Sequence, residues 1–206
     1  MNKKSKIKKR IGTIVGVIIL LVFSIFYAHI NKNTYLYERQ TDTGQFISTG
    51  ILTDSEISQS FVAEEETLDG MNIRATRNGD VTDVMLEYSL EDNATGAVVA
   101  TGSMSARDIT NNRFNLFRFN QVKDTMGKSY TFTLRAVGSD EANGISFNYV
   151  NQSTDQRVLT IHGEEVQGTL VARTITHRFD MQTLIVLLIF IIYIVFFLRM
   201  LYKLFK

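Results

Sequence analysis

Two long apolar runs, one near each end of the chain, constrain this sequence more than any other feature. The first covers 11–30, and the second starts at Met181 and ends at Leu198; neither contains an Asp, Glu, Lys or Arg. A helix of about 20 apolar residues spans a bilayer core roughly 30 Å thick. The sequence therefore predicts two transmembrane helices, over 11–30 and 183–198, with a folded segment between them.

Charged residues are sorted around these two runs. The tail 1–10 carries six basic residues and no acidic one, and the tail 199–206 carries three basic residues and no acidic one. All 21 acidic residues lie between the runs. Basic flanks remain in the cytoplasm while the segment between two spans is exported. The prediction is therefore that both tails are cytoplasmic and that the central domain is extracytoplasmic.

A cleaved signal peptide is the alternative interpretation of the first run, because a basic start and an apolar stretch are common to both. Cleavage requires small residues at the first and third positions before the cut. The best candidate cut follows Ala28, and the third residue before that cut is the bulky Phe26. The sequence favours an uncleaved anchor.

The chain contains no cysteine, which excludes disulfides, thiolate metal sites and a cysteine nucleophile. Exported eukaryotic domains usually carry disulfides, so the composition favours a bacterial plasma membrane. The three histidines are not spaced as metal ligands, and no serine lies in a G-x-S-x-G motif. We expect no metal, no cofactor and no catalytic residue. The acidic run Glu64-Glu65-Glu66 is interpreted as a solvated loop rather than a calcium site.

The central segment, 45–176, consists of short runs in which apolar and polar residues alternate, which is typical of strands in an all-β sandwich. In 83–91 the pattern places one apolar set on a single face: Val84, Leu86, Tyr88 and Leu90. The runs 129–137 and 68–76 alternate in the same way. Further strands are predicted near 45–52, 57–63, 96–103, 113–119, 144–150, 157–162 and 168–176.

About ten strands in this length predict two packed sheets, since a single open sheet would leave an apolar face in water. The predicted fold class is an all-β extracytoplasmic sandwich flanked by N- and C-terminal transmembrane helices, and a jelly-roll-like strand order is a further step beyond the alternation. The polar segments 31–44 and 177–182 are predicted to be linkers. Asn143-Gly144 lies between two apolar runs and is the strongest local hairpin signal.

Several short motifs carry a family resemblance: Ile57-Ser58-Gln59-Ser60-Phe61, Leu68-Asp69-Gly70-Met71-Asn72-Ile73 and Gly127-Lys128-Ser129-Tyr130-Thr131-Phe132. They resemble galactose-binding-like jelly-roll domains on the outer face of bacterial membrane proteins that assemble cell-envelope polysaccharides. The resemblance covers about 45–150 and implies a β-sandwich of carbohydrate-binding type that accompanies lipid-linked glycosyltransferases. The chain lacks the many-span catalytic part that often accompanies such modules.

Four charged residues on the outward faces of the predicted strands are candidate ligand-binding residues: Arg74, Glu87, Arg118 and Arg135. Charged and polar side chains on one face can bind sugar hydroxyls, and the planar arginine fork suits an anionic glycan phosphate. The alternative is an ordinary solvated sheet face with cross-strand ion pairs.

Together these observations predict a membrane-anchored, non-catalytic accessory protein that presents a glycan-binding-like sandwich outside the cell. It would assist a glycosyltransferase or a polysaccharide-assembly complex of the bacterial envelope. The expected partners are the lipid bilayer, a many-span membrane glycosyltransferase or assembly protein, and cell-envelope glycan, with no nucleic acid. The first alternative is a structural subunit that acts by protein–protein contacts without binding sugar, and the second is an envelope glycan hydrolase or transferase.

Overall fold

The computed structural model describes residues 3–152 and 157–205. Its described residues form two compact units, one made of 32–176 and the other of the chain on either side of that range. Residues 1–2 of the predicted N-terminal tail and Lys206 of the C-terminal tail lie outside the described residues.

The described elements comprise two helices, thirteen strands and two short 3-10 turns. In chain order they are α1 Lys3–Tyr27, β1 His29–Tyr35, a 3-10 turn at Thr43–Gln45, β2 Ile47–Ile51, β3 Glu56–Val62, β4 Thr67–Asn78, β5 Met85–Asp92, β6 Ala97–Ser105, a 3-10 turn at Ala106–Asp108, β7 Arg113–Lys123, β8 Ser129–Val137, β9 Gly144–Val150, β10 Leu159–Ile161, β11 Glu164–Val166, β12 Thr169–Leu170, β13 Ala172–Phe179 and α2 Met181–Leu204.

The strands form two sheets. One has seven strands in the order β1-β13-β4-β9-β12, with β2 paired to β9 and β7 paired to β4. The other has six strands in the order β11-β10-β3-β8-β5-β6. The pairs of the six-stranded sheet are antiparallel throughout. The chain is therefore a mainly β, two-sheet sandwich with two helices.

Alternation along the strands places the apolar side chains between the two sheets. On β5, Leu86 and Leu90 are fully buried while Glu87 between them is exposed. The inward residues predicted for 129–137 and 68–76 are also buried: Tyr130, Phe132, Leu134, Ala136, Met71, Ile73 and Ala75. The two-residue period of a strand accounts for this result, and the prediction of these inward faces is confirmed.

A buried glutamine joins the two sheets. Gln59 on β3 is fully buried, and its Oε1 accepts a hydrogen bond from the backbone N–H of Leu170 on β12 at 2.8 Å. Its Nε2 donates to the carbonyl oxygens of Ser60 at 3.0 Å and Val158 at 3.2 Å. Because all three partners are backbone groups, this one side chain satisfies polar atoms that burial would otherwise leave unpaired.

The hairpin predicted at Asn143-Gly144 is wrong. Strand β8, before this dipeptide, belongs to the six-stranded sheet, and β9, after it, belongs to the seven-stranded sheet. The connection therefore crosses from one sheet to the other. The positive φ in this connection is at Gly138, at 79°. Local turn chemistry cannot reveal which sheet the next strand joins, because that choice depends on burial of the whole strand.

Three other segments differ from their sequence-based interpretation. The segment 177–182, predicted to be a linker, is divided between the end of β13 and the start of α2. The segment 31–44, predicted to be a linker, contains the end of β1, and Leu36 and Tyr37 that follow it are buried. Glu65, interpreted as part of a solvated loop, is buried and forms an ion pair with Lys32. The interpretation of Glu65 is wrong because an ion pair allows a carboxylate to enter the interior. Glu64 and Glu66 are exposed as expected.

Both predicted membrane segments are mainly helical, although the first, 11–30, ends too late because its positions 29 and 30 belong to β1. Only α2 meets the requirements of a span within the described residues. Helix α2, Met181–Leu204, is long and apolar enough to cross a membrane. The Asp180 side chain caps its start by accepting a hydrogen bond from the backbone N–H of Thr183 at 3.0 Å. The apolar part of α1 that the structure describes is Ile14–Tyr27, which is shorter than a typical span.

Candidate ligand-binding faces of the sandwich

The four predicted binding residues divide into two pairs on different sheets. Glu87 on β5 and Arg135 on β8 are directly opposite each other in the six-stranded sheet. Arg74 on β4 and Arg118 on β7 both belong to the seven-stranded sheet. Since the core separates the outer faces of the two sheets, the structure does not bring the four residues into one site. Each pair has to be considered with its own neighbours.

Glu87 and Arg135 line a concavity of about 490 Å³ on the six-stranded sheet, called here the polar groove. It is lined by Glu56, Glu87, Tyr88, Ser89, Thr101, Gly102, Ser103, Thr133 and Arg135. The strand register arranges the charged and hydroxyl side chains in two adjacent rows. One row reads Glu56, Arg135, Glu87, Ser103 across β3, β8, β5 and β6, and the next reads Ser58, Thr133, Ser89, Thr101.

The charged row has one arginine between two glutamates. Arg135 is paired in register with Glu56 on one side and with Glu87 on the other. All three side chains are exposed, and the described residues include no ion pair among them. Solvent therefore screens these charges. Their donors and acceptors point into the groove, where sugar hydroxyls would find both kinds of partner.

The floor of the polar groove depends on a close approach at Gly102. A Cβ atom on this residue would lie 2.4 Å from the ring of Tyr88, its partner across β5 and β6. The glycine thus leaves room for the tyrosine, whose hydroxyl donates to the carbonyl oxygen of Arg118 at 2.7 Å. Burial raises the pKa of Tyr88, and its hydrogen bond to that carbonyl opposes the rise. Tyr88 therefore remains neutral and links β5, beneath the groove, to β7 of the other sheet.

The seven-stranded sheet carries a second feature, called here the arginine–aromatic cluster. Its aromatic members are Tyr35, Tyr37, Phe46 and Phe114, and its cationic members are Arg39, Arg74 and Arg173. The rings of Tyr35 and Tyr37 are 5.6 Å apart and the rings of Tyr37 and Phe46 are 5.9 Å apart, both in edge-to-face orientation. Val150 and Val171 are buried beneath the rings.

Each arginine of the cluster stacks on an aromatic ring. The Cζ atom of Arg173 is 4.4 Å from the ring centre of Phe114 and 5.7 Å from that of Tyr35. Arg74 lies 5.3 Å from the ring centre of Phe46, and Arg39 lies 5.5 Å from that of Tyr35. Ring quadrupoles attract cations over their faces, so these contacts fix the orientation of all three guanidinium groups.

The electrostatics of Tyr37 show that the cluster members influence one another. Burial raises the pKa of Tyr37 above its ordinary value of 10.0, and the neighbouring Tyr35 raises it further. The positive charges of Arg173 and Arg74 oppose this rise. The charges of both guanidinium groups thus act on the Tyr37 hydroxyl, although the two arginines belong to strands β13 and β4.

Arg118 lies outside this cluster. On β7 it is opposite Gly70, whereas Arg74 is opposite Phe114, four residues along the strand. Four residues of extended chain correspond to about 13 Å. Sequence reasoning thus identified Arg74 but missed Arg39 and Arg173, together with all four rings. Tyr35 and Tyr37 lie in the segment interpreted as a linker; the alternation Tyr35, Tyr37 was the available signal.

A serine and a histidine form an exposed pair near the polar groove. The Ser55 Oγ and His162 Nδ1 atoms are 2.7 Å apart. Both residues are at turns, with positive φ at Asp54 and at His162 itself. In the part of the chain that the structure describes, no carboxylate is bonded to the second ring nitrogen of His162, so the third group of a catalytic triad is missing. The pair joins the start of β3 to the β10–β11 turn.

The described residues contain no group of three or more His, Asp or Glu side chains that could hold a metal ion. Glu65, in the acidic run 64–66, is instead paired with Lys32, and its carbonyl oxygen accepts a hydrogen bond from the Thr125 hydroxyl. These contacts direct Glu65 into the fold.

Comparisons with known proteins return only distant structural similarities. No protein-family model matches the chain, and no curated protein matches it. A clostridial cysteine protease aligns over 71% of this chain and 40% of its own, with 10% identity and a TM-score of 0.43. The infectious bursal virus-derived T=1 particle aligns over 73% of this chain and 36% of its own, with 12% identity and a TM-score of 0.31.

A carbohydrate-binding module specific for non-crystalline cellulose aligns over 58% of this chain and 70% of its own, with 14% identity and a TM-score of 0.19. The present chain spans less than half the length of the protease and of the viral protein. At these scores and identities the similarities assign no function. The polar groove and the arginine–aromatic cluster are therefore the features from which a function has to be inferred.

Proposed function

We propose that this protein is a membrane-anchored, non-catalytic accessory protein whose β-sandwich binds cell-envelope glycan in the polar groove. The observation that carries the proposal is the pair of rows in that groove, one charged and one of hydroxyl groups, held at fixed spacing by four neighbouring strands. Sites built on strands hold polar groups more precisely than sites on loops. As part of the same proposal, the β-sandwich is a galactose-binding-like jelly roll.

The chemistry of the groove favours a neutral or weakly charged sugar. Ser89, Thr101 and Thr133 each provide a hydroxyl that donates one hydrogen bond and accepts others, as sugar hydroxyls do. Glu87 accepts and Arg135 donates, so a hydroxyl placed between them satisfies both. The groove has a polar lining, and its only aromatic residue, Tyr88, is 6% exposed. Hydrogen bonds rather than ring stacking would therefore provide the specificity.

Glycan binding is tested by isothermal titration calorimetry. The full chain in neutral detergent is titrated with purified neutral wall oligosaccharides, and the dissociation constant is measured. Thr133→Val removes one hydroxyl of the groove without changing side-chain size, and we expect binding to weaken about fivefold to tenfold. Thr160→Val is the matched control, because Thr160 is in register with Ser58 on the same face of the sheet but does not line the groove. Equal affinity of the wild type and Thr133→Val would contradict the proposal.

The proposal also includes two spans, a bacterial plasma membrane and cytoplasmic termini. Support comes from α2, most of whose large apolar side chains are exposed, and from the basic residues at both ends of the sequence. The absence of native cysteines allows a direct test with Ser5→Cys and Ala142→Cys. In intact cells a membrane-impermeant maleimide should label only position 142. Labelling of position 5 would disprove the N-terminal topology.

The expected partner is a many-span membrane glycosyltransferase or assembly protein. An α-helix that is apolar on every side, as α2 is, has no polar face of its own and must contact lipid or another apolar helix. Cross-linking from a photoreactive residue at position 193, followed by mass spectrometry, identifies what α2 contacts. Recovery of a glycan-assembly protein supports the accessory role. Adducts with lipid alone would contradict the proposal that α2 contacts a membrane protein partner.

A further inference from the structure

The arginine–aromatic cluster concentrates positive charge that the protein itself leaves uncompensated. Arg39, Arg74 and Arg173 lie around the same four rings, and within the described residues none of them forms an ion pair with a carboxylate. This is unusual in a chain whose acidic residues all lie between the two apolar runs. Bringing cations together is unfavourable unless an anion accompanies them.

The rings fix the direction in which the arginine hydrogen-bond donors point. A guanidinium group held over a ring keeps its N–H donors in its own plane, where the ring does not accept from them. Arg173 is held in this way by Phe114 and Tyr35, and its Nη1 donates to the Tyr35 hydroxyl at 3.3 Å. Binding costs less when donors are held in place before the ligand arrives.

One of these donors lacks a partner. The Nε atom of Arg173 is buried and has no hydrogen-bond partner within the described residues. A buried donor normally finds an acceptor. No hydrogen bond from the side chain of Arg74 or Arg39 to another described residue is found, although each guanidinium group has five N–H donors. Apart from this buried atom, the half-buried Arg74 and Arg173 and the exposed Arg39 have more donors than the described residues have acceptors for them, and an anion with several oxygen atoms would accept from the accessible donors.

We propose that the arginine–aromatic cluster is a binding site for oxyanions, the carboxylate or phosphate groups of an acidic saccharide. The planar fork of arginine matches two oxygens of such a group at once. The half-buried rings of Phe46 and Phe114 add apolar surface next to the charges, which suits the C–H faces of a sugar ring. The site is on the sheet opposite the polar groove and depends on different residues. The oxyanion proposal can therefore be right or wrong independently of the proposed function.

Binding is tested with the full chain in neutral detergent, titrated with oligogalacturonate and with the same oligomer after methyl esterification. The ester keeps the sugar rings and removes the charges. We expect the acidic oligomer to bind at least tenfold more tightly than the ester, and inorganic phosphate to compete with it. Equal binding of acid and ester would overturn the proposal. Displacement of the acidic oligomer by short-chain phosphatidylglycerol but not by phosphate would identify a lipid headgroup site and likewise overturn it.

Variants locate the site. Arg173→Gln and Arg74→Gln should each weaken binding of the acidic oligomer about tenfold or more, because hydrogen bonds to charged groups are among the strongest. Arg173→Lys keeps the charge but loses the fork and should recover only part of the affinity. Lys123→Gln, at the exposed end of β7, removes the same charge outside the cluster and should bind like the wild type.

If Arg173→Gln and Arg74→Gln do not fold, Arg39→Gln still tests the proposal. Arg39 is an exposed residue that follows β1 rather than belonging to a strand, so its replacement should leave the sheet intact while weakening acidic-oligomer binding about threefold or more. If Arg39→Gln and Arg173→Gln both fold and both bind the acidic oligomer with wild-type affinity, the proposal is wrong.

Discussion

The two outer faces of the sandwich present charge in opposite ways. In the polar groove Arg135 lies between two exposed glutamates, and solvent surrounds all three side chains. In the arginine–aromatic cluster Arg74 and Arg173 are half-buried over rings and have no carboxylate partner within the described residues. On one face the arginine has carboxylates on both sides and all three groups are solvated, whereas on the other the arginines have no carboxylate partner among the described residues and lie over rings. The comparison shows that the side chains covering a sheet face, here aromatic rings on one face and solvated carboxylates on the other, set the surroundings of its arginines.

The largest effect is expected from a core substitution that destabilises both sheets, and with them both outer faces. Phe117 is fully buried, and its ring lies 5.4 Å from that of Tyr88 and 6.1 Å from that of Phe147, so it connects the two sheets. Phe117→Ala should lower the free energy of unfolding by about 3–5 kcal/mol, measured by chemical denaturation. The exposed neighbour Leu116→Ala should change it by no more than about 1 kcal/mol. If Phe117→Ala weakened only one face, the two sheets would not share one core.

A second change should affect the polar groove and leave the cluster unaltered. Gly102→Ala would place a Cβ atom against the Tyr88 ring, and overpacking of this kind costs about 1–3 kcal/mol. We expect a lower unfolding midpoint and weaker neutral-glycan binding, with acidic-oligomer binding unchanged. Val98→Ala, at an exposed position on the same strand, is the control. Wild-type stability of Gly102→Ala would show that the β5–β6 pair can move apart.

The third prediction tests the electrostatics of the cluster without any ligand. Arg173→Gln removes a positive charge that lowers the Tyr37 pKa, so this pKa should rise further above 10.0. Absorbance titration of tyrosine ionisation, with Tyr37→Phe to assign the signal, measures the shift. Loss of the ring contacts should also reduce stability by about 1 kcal/mol. Lys123→Gln should move neither quantity; an unchanged Tyr37 pKa in Arg173→Gln would place the guanidinium elsewhere.

A raised tyrosine pKa also fixes the direction of a pH effect. The folded protein holds the proton of Tyr37 more tightly than the unfolded chain does, so this contribution to stability is complete below pH 10.0 and is lost as the pH rises through the folded-state pKa. Tyr88 and Tyr130 are shifted in the same direction by burial. Unfolding should therefore become easier above about pH 10, as monitored by circular dichroism.

The charged row of the groove should contribute little to stability. A double-mutant cycle with Glu87→Ala and Arg135→Ala should give a coupling free energy of no more than about 1 kcal/mol, because exposed pairs are screened. Denaturation at low and high salt measures it. A coupling energy well above this value would mean that the pair is as firmly held as the cluster, and the contrast between the faces would disappear.

The smallest effect is expected in a loop that belongs to neither face. Asp140 accepts hydrogen bonds from the side chain of Asn143 and from the backbone N–H groups of Ala142 and Asn143, which lowers its pKa. Its contribution is present above the ordinary value of 3.8 and is lost as the pH falls through the lowered pKa. Asp140→Asn should therefore flatten the acid-side loss of stability slightly. Identical acid profiles for the wild type and Asp140→Asn would contradict the role of these hydrogen bonds.

Strand positions are readable from the sequence wherever one face is solvated. Alternation predicts a strand over 129–137, and β8 is observed as Ser129–Val137, because its apolar residues alternate with polar ones without interruption. The short β11, Glu164–Val166, was missed since three residues cannot establish a period. The single-sheet hairpin expected at Asn143 failed for a different reason: the two flanking strands are each predictable, but their assignment to sheets is not.

The candidate site residues also divide into those that alternation predicts and those that depend on the tertiary structure. Glu87 and Arg135 were predicted from alternation, and their pairing follows from the register of β5 with β8. Arg173 was not predicted, and its position over Phe114 depends on β13 lying beside β4, two strands that are far apart along the chain. Such a juxtaposition leaves no local trace in the sequence.

By itself, the sequence determined that strands of alternating polarity form a two-sheet sandwich between two apolar segments, because the two-residue period and the length of an uncharged run are local properties. Only the tertiary structure decided that the arginine flanked by glutamates lies on one sheet and the uncompensated arginines on the other. The physical reason is that strand order and sheet membership depend on burial of the whole core. The core is formed by residues from many segments, so no single segment determines it. Charge sorting along the chain is thus accompanied by a second sorting across the two sheets.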